Sequence, residues 1–348
     1  MKVRLFKPSL FFVLLALSAF WACKPDPVLD DCGNRNGNYD KGIFVVNEGS
    51  FNGTGSITWH DASRNLTVED VYASENCGAV LGQFVQSLTF HNGKGYIVVN
   101  GANKIVVVDA STFEYLDTIG GLGFPRYFYA VDNNTAYVTQ WGKDGFSGSL
   151  AKVDLNTNKV LSTIALPQPE KMFKSGANTL LVANIGGYGL DSTVSWVDLS
   201  IGQEVDRRKF RGAPSGFAAL NGTPYVICKG GYGPAPNYDA YPGWLANTTN
   251  GNGFELLPGA DDLCANPAGN TLYYVAGGIW SYTGPGAPVK IVDQPSYGLA
   301  CDPVSGNLYC SDPKDFSSPG SVSIYQPNGT KIATFPVGIA PGEIVIRN

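Results

Sequence analysis

Histidine and methionine are scarce in this chain, with two of each among 348 residues. Histidine is the side chain most used for proton transfer and metal ligation, so this scarcity argues against a Ser–His–Asp enzyme or a histidine metal site. Charged residues make up only 15% of the sequence and hydrophobic residues 44%, which excludes intrinsic disorder. The net charge of −5 argues against a nucleic-acid partner, which would need a basic stripe.

Several ligand-binding motifs are also absent. The sequence has no CxxC pair, no GxGxxG string and no EF-hand-like acidic loop. These absences argue against a zinc site and against a loop that cradles phosphate, and they leave calcium binding by loop carboxylates as an open alternative. We therefore expect neither a cofactor nor a resident metal.

Glycine, proline and aromatic residues are abundant instead. The chain has 43 glycines, 22 prolines and 12% aromatic residues. Coiled coils and helical bundles depend on Ala, Glu, Lys and Leu, so this composition favours a turn-rich, mostly β protein. The length allows either two ordinary domains or one large closed β architecture.

The N-terminus has the pattern of an export signal. Three basic residues precede an apolar run over residues 10–19, which is too short to span a bilayer. We expect a signal peptide over residues 1–22. Cys23 directly after it resembles the acylated cysteine of a bacterial lipobox, and ordinary cleavage near Ala22 is the alternative. Lipidation would place the protein on the outer membrane at the cell surface, with residues 23–41 as a flexible tether.

Six cysteines remain after Cys23, an even number that suits disulfides in an oxidising compartment. Six cysteines allow 15 pairings, and the sequence does not choose among them. The pairing that we expect is Cys301 with Cys310 across one hairpin turn, Cys32 with Cys77, and Cys228 with Cys264.

One phrase recurs through residues 42–348. An apolar strand, ending in a polar residue in most copies, appears seven times at spacings of 36–53 residues. The seven segments are IFVVN at Ile43, YIVVN at Tyr96, YVTQW at Tyr137, LLVAN at Leu180, YVICK at Tyr225, LYYVA at Leu272 and LYCSD at Leu308. A period of this length with several short strands per unit predicts a β-propeller of seven four-stranded blades.

The two ends of the repeat region complement each other. Residues 43–47 read as a second strand without a first, and residues 343–346 read as a first strand without the rest. We therefore predict an all-β, seven-bladed propeller closed by pairing of its N- and C-terminal strands, which removes exposed sheet edges.

These segments resemble the YncE-like (YVTN-repeat) seven-bladed propellers. More narrowly, the lipobox-like start and the opening GIFVVNEGSFNGTGSITWHD (residues 42–61) resemble a family of Bacteroidota cell-surface propeller lipoproteins. Some members of the wider group capture corrinoids and pass them to an outer-membrane transporter. The resemblance implies a binding protein rather than an enzyme, with a small-molecule ligand such as a corrinoid and a TonB-dependent transporter as partner.

The loops between second and third strands are long in most repeats and carry aromatic, Asn and Gly residues, as expected of a binding face. Together with the loops between blades, they supply the predicted ligand-binding residues: Asn47, Glu48, Phe51, Asn100, Arg126, Trp141, Asn184, Tyr188, Lys229, Tyr232, Tyr241, Trp244, Trp280, Tyr297 and Asp312.

Two other functions remain as alternatives. The same face would suit a partner protein or a glycan. A propeller lyase or hydrolase would need a carboxylate pair from loop acids such as Glu48, Asp144 and Asp239, whose spacing does not determine a separation. His60 and His91 fall in a third strand and in a turn on the opposite face, so we expect no enzyme.

Overall fold

The computed structural model describes residues 37–186, 191–232 and 240–348. Within these ranges the strands form seven four-stranded antiparallel sheets and one two-stranded ribbon. Each of the seven recurring segments is the second strand of a different sheet. The prediction of an all-β, seven-bladed propeller is confirmed.

The blades are numbered in chain order. Blade 1 contains β1 (Gly42–Asn47), β2 (Ser56–Asp61) and β3 (Leu66–Val68). Blade 2 contains β4 (Val85–His91), β5 (Lys94–Val99), β6 (Lys104–Asp109) and β7 (Tyr115–Ile119). Blade 3 contains β8 (Pro125–Ala130), β9 (Thr135–Gln140), β10 (Ser149–Asp154) and β11 (Lys159–Ala165). Blade 4 contains β12 (Pro169–Lys174), β13 (Thr179–Asn184), β14 (Thr193–Asp198) and β15 (Gln203–Lys209). Blade 5 contains β16 (Pro214–Leu220), β17 (Thr223–Cys228), β20 (Gly243–Asn247) and β21 (Gly253–Leu256). The ribbon of β18 (Gly231–Tyr232) and β19 (Ala240–Tyr241) is inserted between β17 and β20. Blade 6 contains β22 (Asp261–Ala265), β23 (Leu272–Val275), β24 (Ile279–Tyr282) and β25 (Val289–Val292). Blade 7 contains β26 (Leu299–Cys301), β27 (Leu308–Asp312), β28 (Pro319–Tyr325) and β29 (Lys331–Ile339). The last strand, β30 (Pro341–Arg347), completes blade 1.

Ring closure joins the two ends of the repeat region. β30 pairs antiparallel with β1, with Ile346 opposite Ile43 and Ile344 opposite Val45. The order of blade 1 is therefore β30, β1, β2, β3, counted outward. The predicted pairing of the terminal strands is confirmed, and it gives blade 1 the inner strand that each of the other blades also has.

The turns after the third strands share one device. In β6 the last residue, Asp109, accepts hydrogen bonds from the backbone amides of Ser111 and Thr112, at 2.8 and 2.9 Å. Carboxylates at the ends of β2, β10 and β14 accept the amide two residues on in the same way. An aspartate that satisfies its own turn explains the repeated valine–aspartate and histidine–aspartate endings of these strands.

The hydrophobic core lies between successive blades. The middle strands are apolar on both faces because each sheet packs against a neighbour on either side. Tyr96 of blade 2 stacks on Phe128 of blade 3, with ring centroids 4.2 Å apart. Phe44 of blade 1 and Ile97 of blade 2 are fully buried in one cluster.

The folded body begins before β1. The Tyr39 ring is buried against Trp59, and its hydroxyl donates to Glu75 Oε1 at 2.5 Å in the short helix α1 (Val71–Glu75). Trp59 Nε1 donates to the carbonyl of Lys41 at 2.9 Å. The last residues of the predicted tether therefore pack on the propeller. The signal peptide and Cys23 lie outside the described residues.

The cysteines differ from the expected pairing. Cys228, Cys264, Cys301 and Cys310 are all free thiols, so the predicted bridges Cys228–Cys264 and Cys301–Cys310 are wrong. Cys264 instead donates to Cys301 on the neighbouring blade, which raises the pKa of Cys264 and lowers that of Cys301. Cys77 is disulfide-bonded. Its predicted partner, Cys32, is outside the described ranges, so that pair stays a prediction.

The seven first strands line the channel of the ring. β30, β4, β8, β12, β16, β22 and β26 each contact the next, and β26 contacts β30 again. All seven inner strands begin on the same face, which we call the mouth face. Because neighbouring strands are antiparallel, the loops between second and third strands also lie there. No helix in the described part of the chain is long and apolar enough to cross a membrane.

Candidate functional site

A cavity of about 90 Å³ lies where the inner strands begin. We call it the mouth cavity. Its lining is almost entirely polar and comes from every blade: Glu48, Gln86, Arg126, Tyr127, Glu170, Lys171, Ser215, Lys229, Asp261, Asp262, Tyr297, Gly342 and Glu343. Three cations and five carboxylates therefore meet at one point on the ring axis.

The first ion pair joins Arg126 of β8 to Glu170 of β12. Arg126 Nε lies 3.0 Å from Glu170 Oε1, and the same guanidinium donates to Gln86 Oε1. The Trp141 ring lies beneath it, with its centroid 4.5 Å from the guanidinium carbon. Burial is the largest single influence on the pKa of Arg126 and would lower it, but Glu170 and the other acidic groups around the guanidinium together raise it. Arg126 is thus held as a rigid cation.

The second ion pair crosses the channel. Lys171 of β12 contacts the Asp262 carboxylate of β22 and so passes over β16, the inner strand between them. Gly216 of β16 lies beside the lysine stem, since a Cβ at that position would be 3.5 Å from Lys171 Cδ. Burial opposes the charge on Lys171, but Asp262 and the other acidic groups around the ammonium together raise its pKa well above the usual value.

The third ion pair joins Lys229 Nζ to Asp261 Oδ2 at 2.6 Å. Ser215 donates to the other oxygen of Asp261 at 3.1 Å. Burial would raise the pKa of Asp261, but Lys229 and Lys171 lower it. All three cations of the mouth cavity therefore have a carboxylate partner.

Glu48 and Glu343 are different, because neither forms an ion pair with any cation of the described residues. The Tyr297 hydroxyl donates to Glu48 Oε1 at 2.9 Å. Burial raises the pKa of Glu48, and the Tyr297 hydrogen bond and Arg126 only partly oppose this. Its carboxylate lies against Gly342, where a Cβ would be 3.0 Å from Oε1.

Glu343 follows Gly342 on β30. Its Oε2 accepts the backbone amide of Leu88 on the adjacent inner strand at 2.8 Å. Burial raises the pKa of Glu343 to about 7, although Lys171 acts in the opposite direction. The side chain therefore changes charge near neutral pH.

A second cavity, of about 200 Å³, continues from the first along the channel. It shares Tyr127, Lys171 and Glu343 with the mouth cavity, and its other walls come from the middle of the inner strands. Glu343 thus lies between the two cavities. Among the residues that the structure describes, no group of three or more His, Cys, Asp or Glu side chains is placed to hold a metal ion.

Four of the predicted ligand residues line the mouth cavity: Glu48, Arg126, Lys229 and Tyr297. Trp141 reaches it indirectly, as the ring beneath Arg126. These residues come from four different blades or their connections, and the ring geometry brings them together.

The predicted asparagines have structural contacts. Asn47 Nδ2 donates to Thr58 Oγ1 at 2.9 Å, and Asn184 Nδ2 donates to Ser195 Oγ at 2.8 Å. Both residues are fully buried at the end of a second strand, where they link it to the third. Asn100 Nδ2 donates to the Pro125 carbonyl at 3.1 Å. The polar residue that ends the repeated phrase therefore supports the blade.

The remaining predicted residues lie away from the mouth cavity or outside the described parts of the chain. Asp312 caps its own turn by accepting the Lys314 amide at 2.8 Å. Trp244 packs under Arg211, and Trp280 stacks on Tyr274 while donating to the Ala276 carbonyl. Phe51 is 79% exposed, and Tyr241 lies partly exposed in the ribbon. Tyr188 and the side chain of Tyr232 are not among the parts that the structure describes.

The other cavity residues are not predicted from the sequence, and all of them lie on the inner strands. They are Gln86, Tyr127, Glu170, Lys171, Ser215, Asp261, Asp262, Gly342 and Glu343. A usable signal is present, because four inner strands begin with proline, which is tolerated at the first residue of a strand. The residue after that proline reaches the cavity in each of these strands: Arg126, Glu170, Ser215 and Gly342.

The two histidines lie outside the mouth cavity. His60 in β2 stacks on Phe335 with ring centroids 3.9 Å apart, and its Nδ1 lies 2.9 Å from Thr67 Oγ1. Burial lowers the pKa of His60. His91 ends β4, on the face opposite the mouth.

Comparison with known proteins identifies the fold and leaves the activity open. Residues 41–211, which span β1 to β15, match the family described as "Domain of unknown function (DUF5074)". No curated protein matches the chain.

Among solved structures, a quinonprotein alcohol dehydrogenase-like protein from Bacteroides thetaiotaomicron is 17% identical, with a TM-score of 0.67 over 90% of this chain and 80% of that one. A hypothetical selenium-binding protein from Sulfolobus tokodaii is 9% identical, with a TM-score of 0.66 over 89% and 94%. A periplasmic gluconolactonase from Pseudomonas aeruginosa is 12% identical, with a TM-score of 0.61 over 88% and 99%. Similarity at these identities establishes a shared propeller fold, and fold alone does not assign a function.

Proposed function

We propose that this propeller is a binding protein that takes the ammonium group of a small organic cation in the mouth cavity. The observation that carries the proposal is the pair of carboxylates without a cationic partner. Glu48 and Glu343 lie in a polar cavity whose other charges are matched in three ion pairs.

The energetics favour a cation over a neutral or anionic ligand. A desolvated carboxylate without a cation is unfavourable, which is why burial raises the pKa values of Glu48 and Glu343. An ammonium group placed between them would donate charge-assisted hydrogen bonds to both. An anionic ligand would meet the same two carboxylates and be repelled.

The size of the cavity restricts the ligand. At about 90 Å³ the mouth cavity accepts a few heavy atoms, and the deeper cavity of about 200 Å³ offers room for a short chain. A corrinoid is larger than the drug-sized ligands that fill pockets of roughly 300–1,000 Å³. A corrinoid would therefore have to rest on the loops of the mouth face, where Trp141 is covered by Arg126.

The cellular role that we propose follows from the N-terminal sequence. Export, acylation of Cys23 and a short tether would hold the propeller at the outer surface, where it would collect its ligand and hand it to a TonB-dependent outer-membrane transporter. This role needs binding and release and no chemical step, so we propose no enzymatic activity.

Calorimetric titration of the purified chain with putrescine tests the proposal. We expect a dissociation constant below about 1 mM, and no binding of butane-1,4-diol, which has the same chain without the charges. Glu48→Gln keeps an acceptor for Tyr297 and removes the charge, so it should weaken putrescine binding about tenfold.

The matched control is Asp144→Asn. Asp144 lies in a loop of the mouth face and caps its own turn through Phe146 and Ser147, outside the mouth cavity. This variant loses the same formal charge and should bind putrescine like the original chain. Equal binding of the diol and putrescine, or equal weakening by both substitutions, would refute a cation site at Glu48.

A further inference from the structure

Apart from the two cavities of the channel, a cleft of about 350 Å³ lies between blades 5 and 6 on the face opposite the mouth. Its lining comes from the start of β17, from the turn between β20 and β21, and from the end of β24: Tyr225, Asn247, Asn250, Asn252, Gly253, Phe254 and Tyr282. Because second strands start and third strands end at this face, the cleft is separated from the mouth cavity by the full length of the strands.

Three aromatic rings form one wall of the cleft. The Tyr282 ring lies 4.8 Å from Phe254 and 6.3 Å from Tyr225, measured between centroids. All three rings pack on the buried cluster between blades 5 and 6, which contains Leu245 and Leu272. They are therefore held in place on one side while remaining partly exposed on the other.

Asparagine amides form the other wall. Asn247 Oδ1 accepts the Thr249 amide at 2.8 Å, and Asn250 Oδ1 accepts the Asn252 amide at 2.9 Å. Each carbonyl thus fixes the turn between β20 and β21. Among the described residues no hydrogen bond involves Nδ2 of Asn247 or Asn250, so both amino groups are available as donors.

Among the described residues, no Lys, Arg, Asp or Glu lines this cleft, in contrast to the mouth cavity. Flat rings offer contact to the C–H faces of a sugar, and amide groups match its hydroxyls. We propose that the cleft is a binding site for a neutral carbohydrate, with a pyranose ring lying against Tyr282 and its hydroxyls accepting from the Asn247 and Asn250 amides. The volume suits a mono- or disaccharide.

Saturation-transfer NMR of the purified chain with cellobiose, maltose and N,N′-diacetylchitobiose tests this site. At least one of the three should receive saturation from the protein, whereas sorbitol should not, since it has hydroxyls but no rigid ring face. Tyr282→Leu keeps an apolar side chain and removes the flat ring, so it should weaken binding about tenfold.

The exposed turn provides a variant with little risk of misfolding and a matched control. Asn250→Ala removes an amide of the cleft. Asn328→Ala removes an exposed asparagine from the corresponding turn of blade 7, where Oδ1 accepts the Thr330 amide at 3.0 Å. Asn250→Ala should reduce saturation transfer and Asn328→Ala should not.

Three results would overturn the site: no transfer to any of the three disaccharides, equal transfer to sorbitol, or equal effects of the two asparagine variants. The site is independent of the proposed cation site. Glu48→Gln should leave disaccharide binding unchanged, so the two proposals fail separately.

Discussion

Arg126 provides a demanding test of the mouth cavity, because replacing it should leave a buried carboxylate without its cation. The Arg126 side chain is 19% exposed and that of Glu170 is 5% exposed, and the ion pair measures 3.0 Å. Breaking such a pair by removing one partner costs about 3–5 kcal/mol. Arg126→Met retains part of the apolar stem, so most of the loss should come from the charge.

The assay is equilibrium unfolding in urea at neutral pH. Arg126→Met should lower the free energy of unfolding by about 3–5 kcal/mol. The double variant Arg126→Met/Glu170→Met leaves no unpaired charge and should recover most of that loss. Arg207→Met is the control, since Arg207 pairs with Glu204 at 2.7 Å on an exposed strand and should cost less than about 1 kcal/mol.

A loss of stability in Arg126→Met no larger than that in Arg207→Met would refute a role for the buried ion pair. A double variant no more stable than Arg126→Met alone would also refute that role, because the unpaired Glu170 charge would then not be the cause of the loss.

Three further predictions concern the pH dependence of stability, a turn and the cysteines. Between its ordinary pKa of 4.5 and its folded pKa of about 7, Glu343 holds a proton in the folded state that the unfolded state has lost, so stability should fall as pH rises through this range. Glu343→Gln should flatten that fall in a series of thermal unfolding curves, and parallel curves for the two proteins would contradict it. Asp109→Ala leaves two backbone amides of its turn without an acceptor and should cost about 1–2 kcal/mol in urea unfolding, whereas Asp109→Asn should keep most of the stability. Mild oxidation followed by peptide mapping should link Cys264 to Cys301, whose thiols share a hydrogen bond, and a Cys301–Cys310 link would contradict the structure.

The fold could be predicted because each blade repeats its own local signals. An apolar second strand, a third strand that ends in aspartate and a turn of Asp, Asn and Gly all act over a few residues. The closure of the ring could also be predicted. The repeat that begins at Ile43 lacks a first strand, and the segment that contains Ile346 is a first strand without the rest of its repeat.

The mouth cavity was only partly predictable, because its contacts cross the ring. Lys171 and Asp262 are 91 residues apart in sequence, and they meet only because β12 and β22 face the same channel. Aromatic loop residues are predicted ligands by their type alone, but Trp244 packs under Arg211 at the boundary of blades 4 and 5, and Trp280 stacks on Tyr274 of its own blade. The expected cysteine pairs are wrong for the same reason, because Cys264 meets Cys301 across the boundary between two blades.

The central claim is that Glu48 and Glu343 receive a cation, and proton release on binding tests it most directly. Titration of the chain with putrescine at about pH 6, in two buffers with different ionisation enthalpies, measures the number of protons released. Glu343 has a pKa of about 7 and is largely protonated there, while putrescine keeps both charges, so binding should release close to one proton from the protein. The release should fall at about pH 8 and be clearly smaller in Glu343→Gln. Binding without proton release at about pH 6, or the absence of binding, would contradict the account.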